Sequence, residues 1–200
     1  MNLQNPKKFK MMIDQAHDVA INVLRPISRK YDKAEHAYPK ELDMLASLID
    51  GMNEGGEGIN AGAAGAGKRG ESDNEGVRNG TNMSTALGII EMCYGDTGLL
   101  LSMPRQGLGN SAIAAVANDE QLERFKGTWA AMAITEPGCG SDSAAIRTTA
   151  TKDGNDYILN GEKIFVTSGE RADSVVVWAT LDRKLGRAAI KSFVVPKGTP

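Results

Sequence analysis

Thr135-Glu136-Pro137-Gly138-Cys139-Gly140-Ser141-Asp142 follows directly on the apolar run Trp129-Ala130-Ala131-Met132-Ala133-Ile134. The run reads as a short buried strand. A proline and two glycines within four positions force a tight turn at its end. Glycine has no Cβ, so it lets the backbone approach a ligand closely and admits positive φ. Thr135, Ser141 and the free backbone N–H groups of the turn form a compact donor cluster with no lysine or arginine in it. Such a cluster suits a large, planar, neutral-to-anionic ligand with a phosphate tail. Taken singly, the same residues also fit a satisfied strand-end hydroxyl at Thr135 and an Asx- or ST-type turn at Ser141 and Asp142. Glu136 reads as a solvated or salt-bridged turn residue.

After Gly127 the apolar residues alternate with a period of two. The candidate strands are Trp129–Ile134, Ala145–Thr151, Tyr157–Leu159, Glu162–Thr167, Val175–Thr180 and Ile190–Val195. Asn160-Gly161 between two such runs predicts a two-residue hairpin, and Asp153-Gly154 a further turn. Before Gly127 the period is helical. Phe9, Met12, Ile13, Ala16, Ala20, Val23 and Leu24 recur at three- and four-residue steps. Pro26 is expected to kink or stop that helix. Pro39 opens a second helix carrying Leu42, Leu45, Ala46 and Ile49, with Gly51 as its stop. Helical patterning returns over Asn82–Tyr94, with Met83, Leu87 and Ile90 inward. Asp96 or Thr97 caps the next segment. Gly107–Ala117 reads as a small-residue helix, and Asp119 as the N-cap of a short helix through Phe125. The chain is therefore α+β: an N-terminal helical domain over 1–127 and a small antiparallel β-domain over 128–200.

Residues 51–80 differ in kind, since ten of the thirty are glycine. They read as a flexible surface insertion. Gly62-x-x-x-x-Gly67-Lys68 nearly spells a P-loop, and Gly65-x-Gly67-x-x-Gly70 matches a dinucleotide fingerprint. Each motif needs an apolar strand before it and an apolar helix after it, and neither is present.

Composition excludes several classes of partner. A formal net charge of −2 leaves no basic footprint for nucleic acid or an anionic membrane. No apolar run is long enough to span a bilayer, and the first residues lack a secretory h-region. Cys93 and Cys139 stand alone, without metal or CxxC spacing. They read as reduced thiols in a cytoplasmic compartment. His17 and His36 lack metal spacing and read as surface residues, so no metal site is expected.

Three ordered motifs carry a family resemblance. Thr135 to Asp142 resembles the Thr-Glu-Pro-x-x-Gly-Ser-Asp signature of the acyl-CoA dehydrogenases. Asn118-Asp119-Glu120-Gln121-Leu122-Glu123-Arg124-Phe125 resembles the short acidic helix before it. Asp153 to Lys163 resembles the family's Gly-x-x-Tyr-x-Leu-Asn-Gly-x-Lys hairpin, and Phe165-Val166-Thr167 falls where the family has a second flavin-contacting strand. The resemblance is strong from about Leu99 to Pro200 and diffuse before that. It implies a helical domain, a middle β-domain that binds FAD, and a further helical half.

By this resemblance, Met132, Ile134 and Thr135 line the flavin ring, with Thr135 donating near the N1/O2 edge. Gly140 and Ser141 lie near the cofactor phosphates and the mouth of the substrate channel. Ser141 also serves the acyl-CoA, and Phe165, Val166 and Thr167 form the second flavin-facing segment. The family often has tryptophan where Phe165 stands; phenylalanine still packs on a ring but lacks the indole donor. The implied reaction is α,β-dehydrogenation of an acyl-CoA thioester with hydride transfer to flavin N5. Electrons would pass on to an electron-transfer flavoprotein or similar acceptor, in a homo- or hetero-oligomer. The family's catalytic base is a glutamate with no match between Met1 and Pro200. No catalytic residue is therefore named, and the base is expected beyond Pro200. Alternatives on the same fold are a flavin oxidase or hydroxylase, and a non-catalytic partner subunit.

Overall fold

The computed structural model describes residues 7–35, 37–54, 79–104 and 108–200. His36 and both nucleotide-loop matches lie outside the described residues. The described residues fall into two compact units, one up to Pro104 and one from Leu108 onward. No helix among them is long and apolar enough to cross a membrane.

The first unit is helical: α1 (Lys10–Val19), α2 (Arg25–Lys33), α3 (Lys40–Glu54) and α4 (Asn79–Leu101). Pro26 neither stops nor breaks the first helix. A wide π turn, Ala20–Leu24, opens immediately before it, and the Arg25 N–H reaches back to the Ala20 carbonyl. The wide turn takes up the missing proline N–H and the ring's clash with the preceding turn, so the chain stays helical to Lys33. Gly51 does not stop α3 either. One glycine costs only about 1 kcal/mol in a helix interior, and this helix is anchored upstream by the fully buried Leu42.

The core of this unit joins Ala16, Leu24, Leu42, Leu45, Met92, Leu99 and Met103. The predicted inward residues Met83 and Ile90 point outward, at 46% and 62% exposed. Close approach decides the inward face of α4 instead. A Cβ on Gly95 would sit 2.8 Å from the Ala20 carbonyl oxygen and 2.9 Å from its Cα. Gly95→Ala is therefore expected to destabilise this unit by about 1–2 kcal/mol in urea unfolding. The gain in helix propensity would otherwise make the same change stabilising by about 1 kcal/mol. Asp96 breaks α4 with extended backbone. Its Oδ1 accepts the Leu99 N–H at 2.8 Å, as the sequence predicted for a cap, and its Oδ2 accepts from the Ser28 hydroxyl.

The second unit begins with α5 (Leu108–Val116) and α6 (Asp119–Arg124). The period changes at Gly127, but the compact unit changes earlier because these two helices pack against the sheet. Ile113 lies against Ala130 and Val176, with Leu122 and Phe125 beside them. Asn118, one residue before the predicted Asp119, is the N-cap of α6, and Gln121 completes a reciprocal capping box.

The sheet contains β1 (Ala130–Ala133), β2 (Thr149–Asp153), β3 (Asp156–Asn160), β4 (Ser174–Thr180) and β5 (Ile190–Pro196). Strand β4, nearly all apolar, is central. One edge pairs antiparallel with β5 along its whole length. The other pairs parallel with β1 over Ser174–Val177 and meets β2 at Thr180. The sheet is thus mixed, not wholly antiparallel, because long crossovers separate β1, β2 and β4. The β2–β3 hairpin turns at Gly154, which takes φ +59.

Two predicted strand features differ. Asn160-Gly161 is not a hairpin turn, and residues 162–166 form no strand. The predicted strand over Ala145–Thr151 starts only at Thr149, preceded by a 3-10 turn at Ser143–Ala145. In both cases backbone or side-chain donors are drawn away from a ladder to Glu136 and the end of β1, as follows.

Candidate functional site

Strand β1 ends at Ala133 and runs into the Thr135–Asp142 corner. Glu136 and Cys139 close the turn with reciprocal bonds, Glu136 N–H to Cys139 O at 2.9 Å and Cys139 N–H to Glu136 O at 3.1 Å. The Glu136 side chain points inward and is only 6% exposed. Its carboxylate collects four strong donors. The Arg147 N–H lies at 2.6 Å from Oε2. The Thr148 N–H and hydroxyl lie at 2.8 and 2.6 Å from Oε1. Lys163 Nζ lies at 2.8 Å from Oε1. The same ammonium donates to the Ile134 carbonyl at 3.0 Å. The Ile164 N–H donates to the Thr135 carbonyl at 2.9 Å.

These bonds explain the local fold. Arg147 and Thr148 give their N–H groups to a carboxylate, so β2 cannot begin before Thr149. Lys163 and Ile164 are tied to residues 134–136, so the chain after Gly161 crosses to the end of β1 and does not fold back on β3. Gly161 is required at the crossing, since a Cβ there would fall 2.4 Å from Thr148 Oγ1 and 2.7 Å from its Cα.

The electrostatics follow from the same donors. Burial alone would raise the Glu136 pKa. The Lys163 ammonium, the Thr148 hydroxyl and the two backbone N–H groups outweigh it and hold the pKa at about 2, against an ordinary 4.5. A carboxyl depressed in the folded state stabilises the fold above its unfolded pKa, and that contribution disappears as pH falls through the folded value. The stability of this unit is therefore expected to be insensitive to Glu136 above pH 5 and to fall by on the order of 3 kcal/mol between about pH 4.5 and pH 2. Glu136→Gln removes the titrating group, and a urea-stability profile of that variant should show a correspondingly shallower acid limb. An equally steep limb would show that other carboxylates govern acid unfolding.

The residues named from sequence gather around this hub. Thr135 and Ile134, half-buried, follow β1, and Met132 lies within it. Gly140 and Ser141 are exposed on the turn. Phe165 is 86% exposed and holds φ +57, a left-handed conformation that aromatic side chains rarely adopt. Val166 packs toward Trp129, Ala131 and Ala172, and Thr167 is exposed. The bond from Ile164 to Thr135 makes the two segments into one ledge. The Thr135, Ser141 and Thr167 hydroxyls and the Phe165, Val166 and Thr167 N–H groups make no hydrogen bond to another described residue. The two joined segments therefore carry open donors and an exposed aromatic ring, while the Lys163 ammonium is engaged by the Ile134 carbonyl and Glu136.

Glu136 also borders a cavity of about 370 Å³, together with Gly138, Thr148, Gly161 and the exposed Arg147 and Arg183. Among the described residues, no group of three His, Cys, Asp or Glu side chains is placed to hold a metal. Sequence reasoning missed Thr148 as a partner and saw Lys163 only as a motif letter.

Comparison with known proteins agrees with this architecture. Residues 131–200 match the family model "Acyl-CoA dehydrogenase, middle domain". Over 96% of its length the chain is 29% identical to a cyclohex-1-ene-1-carbonyl-CoA dehydrogenase of Syntrophus aciditrophicus, covering 44% of that protein. It is 34% identical to a 3-(aryl)acrylate reductase of Clostridium sporogenes over 90% of the chain and 45% of the relative. The butyryl-CoA dehydrogenase structure from Megasphaera elsdenii superposes with a TM-score of 0.76 at 26% identity, covering all of this chain and 51% of that one. The chain thus spans about half the length of the relatives it matches.

Proposed function

We propose that this chain, a member of the acyl-CoA dehydrogenase family, contributes the flavin-facing half of an FAD-dependent acyl-CoA oxidoreductase. The observation that carries this reading is the ledge: two segments with unpaired donors, fixed to each other by the Ile164–Thr135 bond.

The residues present fit FAD. Its ring system needs a flat apolar surface with donors along one edge, and Met132, Ile134, Phe165 and Val166 supply the first. Thr135, Val166 and Thr167 supply the second. When bound, the flavin provides a two-electron acceptor for the β-hydride of an acyl thioester. A donor fixed where negative charge gathers favours the charged form without reorganisation. Thr135 takes that role: the Ile164 bond to its carbonyl fixes its backbone, and its hydroxyl makes no hydrogen bond to another described residue. Gly140 and Ser141, exposed on the turn, are placed for a phosphate-bearing segment of the cofactor and for the acyl-CoA.

Glu136 does not serve as the base that removes the α-proton. Four donors saturate its carboxylate, and a pKa of about 2 makes it a poor proton acceptor at neutral pH. We assign that base to no residue of this chain. An electron-transfer flavoprotein is the proposed acceptor.

Titrating FAD into the protein tests the reading. Quenching of flavin fluorescence with a saturable, roughly stoichiometric endpoint is expected. Thr135→Val keeps the side-chain shape but loses the hydroxyl, and should weaken binding roughly 3–10-fold. Flavin fluorescence that does not respond to the protein at any concentration would contradict it.

A further inference from the structure

We propose that the buried Glu136–Lys163 pair is a positioning device for the flavin-facing ledge: it clamps the segment after Gly161 to the end of β1 and keeps the charge at the ledge neutral. The inference rests on the flavin reading above. Residues 134, 135 and 136 each receive a bond from one of two successive residues, Lys163 and Ile164. Lys163 Nζ donates to Ile134 O at 3.0 Å and Glu136 Oε1 at 2.8 Å, and the Ile164 N–H donates to Thr135 O at 2.9 Å. Phe165, the first residue of the second flavin-facing segment, follows immediately.

Phe165 and Ser168 both hold φ +57. Such conformations are strained for residues other than glycine and persist only where the surroundings over-determine them. Downstream, the loop is held by Gly169 N–H to Val166 O and by the Arg171 and Ala172 N–H groups to Ser168 O. Upstream, the Lys163–Ile164 bonds are what holds it.

The Lys163 and Glu136 side chains are 9% and 7% exposed, so solvent screens neither well. The ammonium is bonded to the carbonyl of Ile134, adjacent to the proposed flavin donor Thr135. Unpaired, it would favour electron gain by a ring on the ledge. Glu136 cancels that pull, and the same carboxylate without Lys163 would oppose it.

Two measurements test this on the FAD-loaded protein: the flavin reduction potential and amide exchange at Ile164 and Gly169. Glu136→Gln should raise the potential and Lys163→Met should lower it. Both should speed exchange at Ile164 and Gly169 by at least tenfold relative to amides of β4 and β5. Thr148→Val keeps both charges and loses one bond to Oε1. It should leave the potential unmoved while loosening Ile164, and it remains informative if Lys163→Met does not fold. A merely structural pair would move the potential in one direction for both charge variants, or not at all, and either result overturns the proposal. If the wild-type chain takes up no FAD, the flavin reading itself fails. The exchange comparison needs no flavin and still decides the clamp, with unchanged Ile164 and Gly169 exchange refuting it.

Discussion

Lys163→Met should cost the sheet-containing unit about 3–5 kcal/mol. The ammonium is nearly buried, and its removal leaves the Glu136 carboxylate enclosed with three remaining donors, none of them charged. It also leaves the Ile134 carbonyl without the ammonium bonded to it. Breaking one side of a buried pair is far more damaging than losing an exposed one. The surface pair between Lys126 and Glu123, with side chains 73% and 76% exposed, supplies the contrast. Lys126→Met should change stability by less than about 0.5 kcal/mol. Urea unfolding followed at a tryptophan signal measures both variants. A Lys163→Met cost below about 1 kcal/mol would mean that the carboxylate is hydrated in solution and that the hub described above is loose.

The second large effect is expected at Gly109. A Cβ there would stand 2.3 Å from the Ala131 carbonyl oxygen and 2.4 Å from that of Ala130. The backbone of β1, bonded along its length to the central strand β4, cannot move aside as a flexible side chain could. Gly109→Ala should therefore lift α5 from β1 and destabilise the unit by about 3 kcal/mol. Helix propensity alone would give the reverse sign, a gain of about 1 kcal/mol, so the direction of the change discriminates. Asn110 reinforces the expectation. It is 1% exposed, its amide nitrogen donates to Thr128 O at 2.7 Å, and its amide oxygen accepts the Ala130 N–H at 2.9 Å. Any tilt of α5 breaks both bonds. Ser111→Ala on the exposed face of the same helix is the control and should be near neutral.

Much of this was legible in the residues. The Trp129–Ile134 run, the turn at Pro137–Gly140 and the Val175–Thr180 strand were readable because apolar alternation and turn chemistry are local properties. So was a cap at Asp96 or Thr97, of which Asp96 takes the role. What escaped sequence reading depends on partners distant along the chain. Ile164-Phe165-Val166 is β-branched and aromatic like a strand, but the Ile164 N–H and the Lys163 ammonium bond residues 134–136, so these residues form a crossing segment. Nothing local to Glu136 shows that its donors come from residues 147, 148 and 163. Met83 and Ile90 looked like core residues by hydrophobicity, yet the closeness allowed by Gly95 against Ala20 chose the inward face of α4. Pro26 looked like a helix stop because an insertion of one wide turn leaves no mark in a periodicity count.

The central claim is that Met132–Ser141 and Phe165–Thr167 form one surface against which an isoalloxazine ring lies. A crystal structure of the protein grown with FAD tests it most directly. The ring is expected against Ile134 and Phe165, with the Thr135 hydroxyl or N–H within hydrogen-bond distance of its N1/O2 edge. Flavin bound elsewhere, with the Thr135 and Thr167 donors still turned to solvent, would contradict the account.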